Sequence, residues 1–540
     1  MHDAVALKAP KRKLSKAAAA RASAPTLAEV SLVIASALLL ILSFPNFDIG
    51  LLAWIGMVPF LVVAARPLKA VRALLLGWLW GVVFFYGTCW WLTYPMIRYA
   101  RISVWLAYPL LLVPIALVAV FPALFTALLS RLVIRFGLGA IMVAPMIWVS
   151  GEWARYAVTG QLWNAIGYSQ AFHPLLIQSA RWGGVYAVGF LVVATNAALA
   201  FALMRRNAMG MVPSLLLLIL VASAVTAAVL ESPLNEEPQS PATVVVAVQP
   251  NVPMEGIQGP AAMEQLLNRH LELSVQGLRN APEATSAYRL VIWPESPMNF
   301  SYSRDSHLRD VVASLARTNR TSVLLNSLEP APNGGESNSA VMTNEEGRIV
   351  AQYDKIRLMP FGEYVPLPNW LPGASSVRGI VGDFTPGSSY TLMPLGALRA
   401  GAFICIEAAH PGVARTFTKE GAGVLINISN DGYLGPTPVM RQHLANAIFR
   451  AVENDREVIR VTNNGITAEI DSDGRILDST TAFEPTVRTW SSGKGNEKKT
   501  FYTRYGDAFA YACALITLGF VSATFMTKRT RIIRSTNRRG

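Results

Sequence analysis

The chain has 540 residues, of which 52% are hydrophobic and only 15% are charged, and its formal net charge is +13. A charged share so far below the roughly 25% of ordinary globular proteins excludes a soluble chain of several domains. Lys and Arg cluster near both termini, beside apolar segments and without a nucleic-acid-binding motif, which favours contact with anionic lipid over binding of nucleic acid.

Long apolar runs in residues 25–232 predict a membrane bundle of seven helices that follows a basic tail, residues 1–24. A helix that crosses a bilayer needs about 20 apolar residues. An eighth run lies in the C-terminal segment 501–540, which ends in a second basic tail. We therefore expect about eight transmembrane helices, within residues 27–45, 51–66, 73–95, 103–130, 138–157, 186–204, 211–230 and 506–526.

Basic residues in the loops predict the orientation of these helices. Loops that carry residues such as Arg66 and Arg131 alternate along the chain with loops that carry fewer cations, and Lys and Arg are enriched on the cytoplasmic side of membranes. Both basic tails are then expected in the cytoplasm. Residues 233–500, which follow the seventh helix, are expected on the outer face. One outer loop departs from the pattern because it contains Arg98 and Arg101.

Residues 233–500 have the alternating strand and helix signals of an α/β domain. Helical periodicity predicts helices near 261–279, 306–319 and 437–454, and a further helix after Pro411. Alternation of this kind indicates sheets that are covered by helices. Short segments rich in Val and Ile predict strands at Thr243–Gln249, Arg289–Trp293, Ser322–Asn326, Ser339–Thr343, Ile349–Tyr353, Arg399–Cys405, Gly423–Ser429, Val458–Thr462 and Ala468–Asp471.

Three reactive side chains follow predicted strands of this region. Glu295 follows the strand that ends at Trp293, Lys355 follows the strand that ends at Tyr353, and Cys405 ends a strand of its own. Each is ordinary when taken alone: a surface Glu, a solvated Lys, or a buried and unreactive Cys. Because ligands bind at the carboxyl ends of strands in layered α/β folds, the three together supply a general base, a cation for an oxyanion and a nucleophile, which acyl transfer requires.

Two further carboxylates accompany these residues. Glu363 comes after a Pro-Phe-Gly turn and Glu407 lies just beyond Cys405, so we expect both to orient Lys355 and an incoming amine. The helix after Cys405 is expected to lower the pKa of its thiol. Cys405 is the only cysteine of the region, which excludes a disulfide within it. No histidine spacing suits a metal, and His443, on a predicted helix, is expected at the surface.

The order Glu295, Lys355, Cys405, each at a separate strand end, resembles the nitrilase superfamily, whose fold is a four-layer α-β-β-α sandwich. With membrane segments on both sides, the whole pattern resembles the apolipoprotein N-acyltransferase family. The sequence departs from the family pattern at Ile406, where an aromatic residue is common, and at Arg357, where a histidine is common. It also departs at Gly432-Tyr433-Leu434, where an aromatic pair is usual, and at Gln249-Pro250-Asn251, where Gln-Gly-Asn is usual. Further strings that resemble the family are Gly167-Tyr168-Ser169-Gln170, Ile428-Ser429-Asn430-Asp431, Thr462-Asn463-Asn464-Gly465-Ile466-Thr467 and Phe501-Tyr502-Thr503-Arg504-Tyr505-Gly506-Asp507.

The resemblance implies an acyltransferase with a catalytic triad of Glu295, Lys355 and Cys405. Such an enzyme moves an acyl chain from a phospholipid, through a thioester on the cysteine, to the N-terminal amine of a diacylglyceryl-cysteine apolipoprotein. The resemblance also implies a bacterial inner-membrane protein with its catalytic domain on the periplasmic face, and we expect it to act as a monomer, without a metal or other cofactor. The Pro- and Gly-rich stretch 366–387 is a candidate lid. Two alternatives stay open: a membrane-anchored nitrilase-type amidase that acts on a small polar substrate, and a non-catalytic membrane binding or transport protein.

Overall fold

The structure, a computed structural model, describes residues 24–205, 208–230, 243–255, 257, 259–281, 288–332, 334–365, 383–492 and 498–536. Three predicted features lie wholly or largely outside these residues: the N-terminal basic tail, the domain boundary near residue 232 and the candidate lid. The described residues form a helical part, at both ends of the chain, and a part built on two β-sheets between them.

Apolar helices make up the first part. Its α-helices are α1 (Leu27–Leu42), α2 (Ala53–Gly56), α3 (Val58–Ala64), α4 (Ala70–Cys89), α5 (Thr93–Arg98), α6 (Val104–Val118), α7 (Val120–Phe136), α8 (Ala144–Thr159), α9 (Pro174–Ile177), α10 (Ala180–Arg205) and α11 (Ala208–Leu230). Two more follow the sheets, and in our numbering they are α16 (Phe501–Tyr505) and α17 (Ala508–Thr536).

Five of the described helical segments are long and apolar enough to cross a membrane, namely Ala70–Arg98, Val104–Phe136, Ala180–Arg205, Met211–Leu230 and Ala508–Phe525. Leu27–Leu42 and Gly50–Ala64 are apolar but shorter. Each of the eight predicted runs contains helix, yet only these five segments meet the length and composition expected of a span. The predicted run 138–157 consists of a 3₁₀ segment, Leu138–Val143, followed by α8.

A glycine contact and a group of aromatic rings pack the helical part. Gly77 of α4 lies against α7, where a Cβ would meet the carbonyl oxygen of Pro122. Small residues of this kind allow helix backbones to approach closely in membranes. Nearby, Trp80 stacks on Phe60 with ring centroids 5.0 Å apart and meets Trp148 edge-on at 5.4 Å. These bulky side chains fix how α3, α4, α7 and α8 pack.

Helix α10 is interrupted near its start. Gly183 and Gly184 have non-helical backbone angles, and the φ of 65° at Gly184 lies in the left-handed region that favours glycine. The Val185 N–H, at the start of the regular helix, donates a hydrogen bond to Glu453 Oε1 at 3.0 Å. Glu453 belongs to the sheet-containing part, so a carboxylate from that part caps a helix of the first part.

Two six-stranded sheets form the second part. Their strands are β1 (Thr243–Gln249), β2 (Tyr288–Ile292), β3 (Ser322–Pro330), β4 (Glu336–Thr343), β5 (Ile349–Asp354), β6 (Leu392–Leu395), β7 (Leu398–Ile404), β8 (Val424–Ser429), β9 (Val458–Thr462), β10 (Ala468–Ile470), β11 (Ile476–Ser479) and β12 (Thr486–Ser492). The strand orders are β12-β1-β2-β3-β4-β5 and β11-β10-β9-β8-β7-β6. In each sheet the three strands β1–β2–β3 or β7–β8–β9 are parallel, and the outer pairings are antiparallel.

Helices pack on both sheets: α12 (Gly259–Arg279) and α13 (Ser306–Asn319) on the first, and α14 (Pro411–Lys419) and α15 (Val439–Asn454) on the second. Alternate residues of β2 show how the first sheet is buried, because neighbouring residues of a strand face opposite sides. Val291 packs with apolar residues of α12 and α13, whereas Leu290 and Ile292 join the core that includes the second sheet.

The nine predicted strands are all present, with ends shifted by a few residues, and the predicted helices of this region are confirmed as α12 to α15. The three strands that were not predicted, β6, β11 and β12, all lie at sheet edges. Pro394 interrupts the apolar pattern of β6, and charged residues such as Asp478 and Arg488 interrupt the other two. Edge strands tolerate Pro and charge, so they carry a weaker sequence signal.

Candidate active site

Glu295, Lys355 and Cys405 lie beyond the carboxyl ends of β2, β5 and β7, and the structure brings the three together. Lys355 Nζ is 3.5 Å from Glu295 Oε1 and 2.9 Å from Glu363 Oε1. We call Glu295, Lys355 and Glu363 the ionic cluster. Both Glu295 and Lys355 are close enough to Cys405 to perturb the pKa of its thiol.

Lys355 is buried, with only 1% of its side chain exposed. Burial by itself lowers the pKa of Lys355, but the carboxylates of Glu295 and Glu363 outweigh it and raise that pKa above its usual range. The side chain is therefore an ammonium ion at neutral pH. A buried, permanently charged donor beside a thiol is suited to stabilising an oxyanion.

Asn338, in the middle of β4, joins the two carboxylates of the ionic cluster and was not predicted from the sequence. Its Nδ2 donates to Glu295 Oε1 at 2.8 Å and to Glu363 Oε1 at 2.7 Å, and its Oδ1 accepts from Asn326 at 2.6 Å. The polar run Glu336–Ser339 within a buried strand was the available signal, since buried polar side chains need specific partners.

Glu295 and Glu363 are each also bound by a backbone N–H. Asn430, just after β8, donates its N–H to Glu295 Oε2 at 3.0 Å, and Met359 donates its N–H to Glu363 Oε2 at 2.7 Å. Glu295 therefore receives bonds from both sheets, through Asn338 of the first and Asn430 of the second. These bonds fix the direction in which its carboxylate points.

Cys405 begins a short 3₁₀ segment, Cys405–Ala409, which we call the Cys405 turn. Its φ of 51° is unusual for a residue other than glycine. Removal of the thiol from water raises the pKa of Cys405 well above its usual range, Glu295 acts in the same direction, and Lys355 offsets only part of the effect. The expected lowering of this pKa is therefore wrong, because burial and the carboxylate outweigh the nearby cation.

Glu407 is fully buried and ties the Cys405 turn to the segment that follows β5. Its Oε2 accepts the N–H of Ile404 at 2.8 Å, and its Oε1 accepts the Tyr353 hydroxyl at 2.7 Å and the N–H groups of Ile356 and Arg357 at 2.9 and 3.0 Å. Glu407 thus sets the position of the Lys355 segment through the backbone. The ammonium itself is bound by Glu363.

The loop that contains Arg98 and Arg101, which departs from the predicted charge pattern, contacts the sheet-containing part. Arg98 forms a salt bridge of 2.8 Å with Glu255, and the ring of Tyr99 stacks on Tyr433 with centroids 4.8 Å apart. Tyr433 follows Asn430 by three residues, so this loop lies beside the segment that binds Glu295. The salt bridge gives Arg98 a partner in the sheet-containing part.

Comparisons with known proteins agree in both parts of the chain. Residues 36–198 match the family model for the apolipoprotein N-acyltransferase N-terminal domain, and residues 245–491 match that for carbon-nitrogen hydrolase. An apolipoprotein N-acyltransferase of Geobacter metallireducens is 32% identical over 496 residues, covering 89% of this chain and 92% of the relative. One of Allorhizobium ampelinum is 32% identical over 414 residues, covering 74% and 76%.

Among solved structures, an amidase from Nesterenkonia sp. AN1 aligns with a TM-score of 0.37 and 16% identity, covering 52% of this chain and 99% of the amidase. That similarity is too distant to guide an assignment. The relatives above 30% identity extend over most of both chains, and the two matched domains account for the helical part and the sheets. The chain therefore belongs to the apolipoprotein N-acyltransferase family.

Proposed function

We propose that this chain transfers an acyl chain from a phospholipid, through a thioester on Cys405, to the N-terminal amine of a diacylglyceryl-cysteine apolipoprotein. Membership of the family makes the chain an N-acyltransferase of lipoprotein maturation. The observation that carries the assignment of residues is the ionic cluster beside Cys405, at the ends of strands from two sheets.

In the first half-reaction, Glu295 accepts the proton of the Cys405 thiol. A base is needed because burial and the Glu295 carboxylate raise the pKa of that thiol. The sulfur attacks the ester carbonyl carbon, and Lys355 stabilises the negative charge that develops on the carbonyl oxygen. The carbon–oxygen bond then breaks, Glu295 returns the proton to the departing lysophospholipid oxygen, and the thioester remains.

In the second half-reaction, the amine nitrogen of the acceptor attacks the thioester carbonyl carbon. Glu295 accepts a proton from the nitrogen, Lys355 again stabilises the oxyanion, and the carbon–sulfur bond breaks. The proton passes to the sulfur, which restores the thiol and leaves an amide. Glu363 keeps Lys355 in place in both steps, and Glu407 keeps the Lys355 segment against the Cys405 turn.

The architecture that we propose extends this scheme to the membrane. Residues 1–24 form a cytoplasmic tail, 25–232 a bundle of seven helices, 233–500 a periplasmic catalytic domain, and 501–540 the last transmembrane helix with a basic tail. The five long apolar segments, the two shorter apolar helical segments Leu27–Leu42 and Gly50–Ala64, and α8 together support a count of eight spans. Two sheets with helices on each support a four-layer α-β-β-α sandwich. The protein acts as a monomer in the bacterial inner membrane.

The proposal is tested with purified protein in detergent, labelled phospholipid and a diacylated lipopeptide. Wild type should carry a labelled acyl adduct on Cys405, located by mass spectrometry, and should pass it to the lipopeptide. Cys405→Ala should do neither. Cys513→Ala, which alters a buried cysteine of α17, is the matched control and should behave as wild type. Acyl transfer by Cys405→Ala, or an adduct elsewhere, would contradict the proposal, and release of free acid from small amides alone would favour an amidase.

A further inference from the structure

His443, on α15, contacts the backbone of Cys405. Its Nε2 is 2.9 Å from the Cys405 carbonyl oxygen, and 3% of the residue is exposed, so the expectation of a surface histidine is wrong. A carbonyl oxygen only accepts hydrogen bonds, so Nε2 carries the hydrogen and donates it. The imidazole thus binds the residue that has the unusual φ of 51°.

The other ring nitrogen of His443 is bound by a buried ionic network. Nδ1 is 2.8 Å from Asp431 Oδ1 and 3.2 Å from Arg460 Nη2, and Asp431 accepts hydrogen bonds from Arg460 Nη2 at 2.6 Å and from the Ser429 hydroxyl at 2.8 Å. Burial alone would raise the pKa of Asp431, but Arg460 and His443 lower it far below its usual range, so Asp431 is a carboxylate. A carboxylate held on three sides fixes the orientation of the ring.

This network also reaches the proposed base. The residue before Asp431 is Asn430, whose N–H donates to Glu295 Oε2 at 3.0 Å. One short loop after β8 therefore positions Glu295 directly and the Cys405 carbonyl through His443. A shift of that loop would move the base and the sulfur together.

Gln442, the neighbour of His443, fixes α15 against the helical part with all of its hydrogen-bonding positions. Its Oε1 accepts from the indole N–H groups of Trp91 and Trp163 at 3.1 and 2.8 Å. Its Nε2 donates to the carbonyl oxygens of Pro45 and Thr88 at 3.2 and 3.0 Å. The place of His443 along the helix axis is therefore set by membrane helices on one side and by Asp431 on the other.

We propose that His443 is a positioning residue for Cys405. Its hydrogen bond to the Cys405 carbonyl oxygen sets the position of the sulfur, and the packing of α15 against the helical part sets the position of His443. His443 does not touch the substrate in this scheme. Measuring this effect as a rate of acyl transfer rests on the proposed function, but the claim that His443 positions Cys405 does not.

The decisive comparison is between His443→Gln and His443→Asn. The side-chain nitrogen of Gln is as many bonds from Cα as Nε2 of histidine, so it reaches the Cys405 carbonyl oxygen. The side-chain nitrogen of Asn is as many bonds from Cα as Nδ1 of histidine, so it reaches only Asp431. Both variants lose the same ring. We expect kcat to stay within about three-fold of wild type for Gln and to fall about 100-fold for Asn, with KM for phospholipid unchanged in both, because misplacement of a reacting atom affects the chemical step.

The rate of Cys405 alkylation by iodoacetamide and the thermal denaturation midpoint are measured on the same samples. We expect similar midpoints for the two variants, but an alkylation rate that departs from wild type only for Asn. Equal kcat and equal alkylation for the two variants, or a loss confined to KM, would overturn the proposal. If wild type formed no thioester, the proposed function would fail, and the alkylation rates would still decide whether His443 positions Cys405.

Discussion

The two sides of the candidate site are built differently. On the side of the first sheet, the ionic cluster is centred on contacts between side chains, with Asn338 shared by two carboxylates around one ammonium ion, and one backbone N–H completes each carboxylate. On the side of the second sheet, Cys405 is held by its backbone, through His443 at its carbonyl and Glu407 at the neighbouring Ile404 N–H. The first side sets the charges around the Cys405 sulfur, and the second side sets the direction in which the sulfur points.

This contrast predicts that the largest effect comes from removing the charge at Lys355. Lys355→Met should lower kcat/KM by at least about 1,000-fold because the oxyanion loses its donor. It should also lower the thermal midpoint, because Glu295 and Glu363 then face each other without a cation. Lys355→Arg keeps the charge and should recover the midpoint more than the rate. Retention of acyl transfer by Lys355→Met would remove the ammonium ion from the mechanism.

Glu407→Gln tests the side of the candidate site that is formed by the second sheet. The change leaves an amide NH₂ opposite a backbone N–H, with either the Ile404 N–H or the donors at Oε1 unsatisfied, and a buried donor without an acceptor costs about 1–3 kcal/mol of stability. We expect a lower thermal midpoint and a fall in kcat of about 10- to 100-fold from displacement of the Cys405 turn. An unchanged kcat with a lowered thermal midpoint would show that catalysis tolerates displacement of the Cys405 turn. That result would contradict the idea that the second side of the site sets the direction of the sulfur.

The pH dependence of Cys405 alkylation should report the charges around the sulfur separately from the direction in which the sulfur points. Glu295 contributes to the raised pKa of the thiol, so Glu295→Gln should shift the alkylation midpoint to lower pH by about one unit while it abolishes acyl transfer. Lys355→Met should shift the midpoint to higher pH, since Lys355 favours the thiolate. Shifts of the opposite sign, read from iodoacetamide rates over a pH series, would contradict the placement of these charges around the sulfur.

The smallest effect is expected at Arg98. Its salt bridge with Glu255 is largely exposed, with 54% and 34% of the two side chains accessible, and pairs of this kind contribute at most about 1 kcal/mol. Arg98→Ala should leave kcat/KM within two-fold of wild type and change the thermal midpoint little, as measured beside the variants above. A ten-fold loss would mean that the outer loop belongs to the site.

The sequence was sufficient to place Glu295, Lys355 and Cys405 together because each lies at the carboxyl end of a predicted strand, and ligands bind at those ends in layered α/β folds. It was not sufficient for Asn338 or His443. Asn338 is an amide inside a strand, where only the facing carboxylates reveal its purpose. His443 lies on a helix that is buried on almost every side, so helical periodicity could not distinguish an interior position from an exposed one.

In the helical part, too, the sequence predicted the helices better than it predicted the contacts between them. Each of the eight runs predicted from hydropathy contains helix, but hydropathy did not show that α4 and α7 pack through Gly77 or that α10 is broken at Gly183 and Gly184. Both features depend on which helix lies opposite. The pKa of Cys405 was misjudged for a related reason, because the effects of burial and of Glu295 depend on residues distant along the chain.

The break in α10 bears on the order in which the protein is made. The Val185 N–H depends on Glu453, which the ribosome adds 268 residues later. During synthesis, the apolar helices that precede the sheets are therefore complete while one of them still has an amide without its final acceptor. This cap on α10 can form only after α15 folds against the helical part, so we expect a truncation before Glu453 to leave helices that are more open to quality-control proteases.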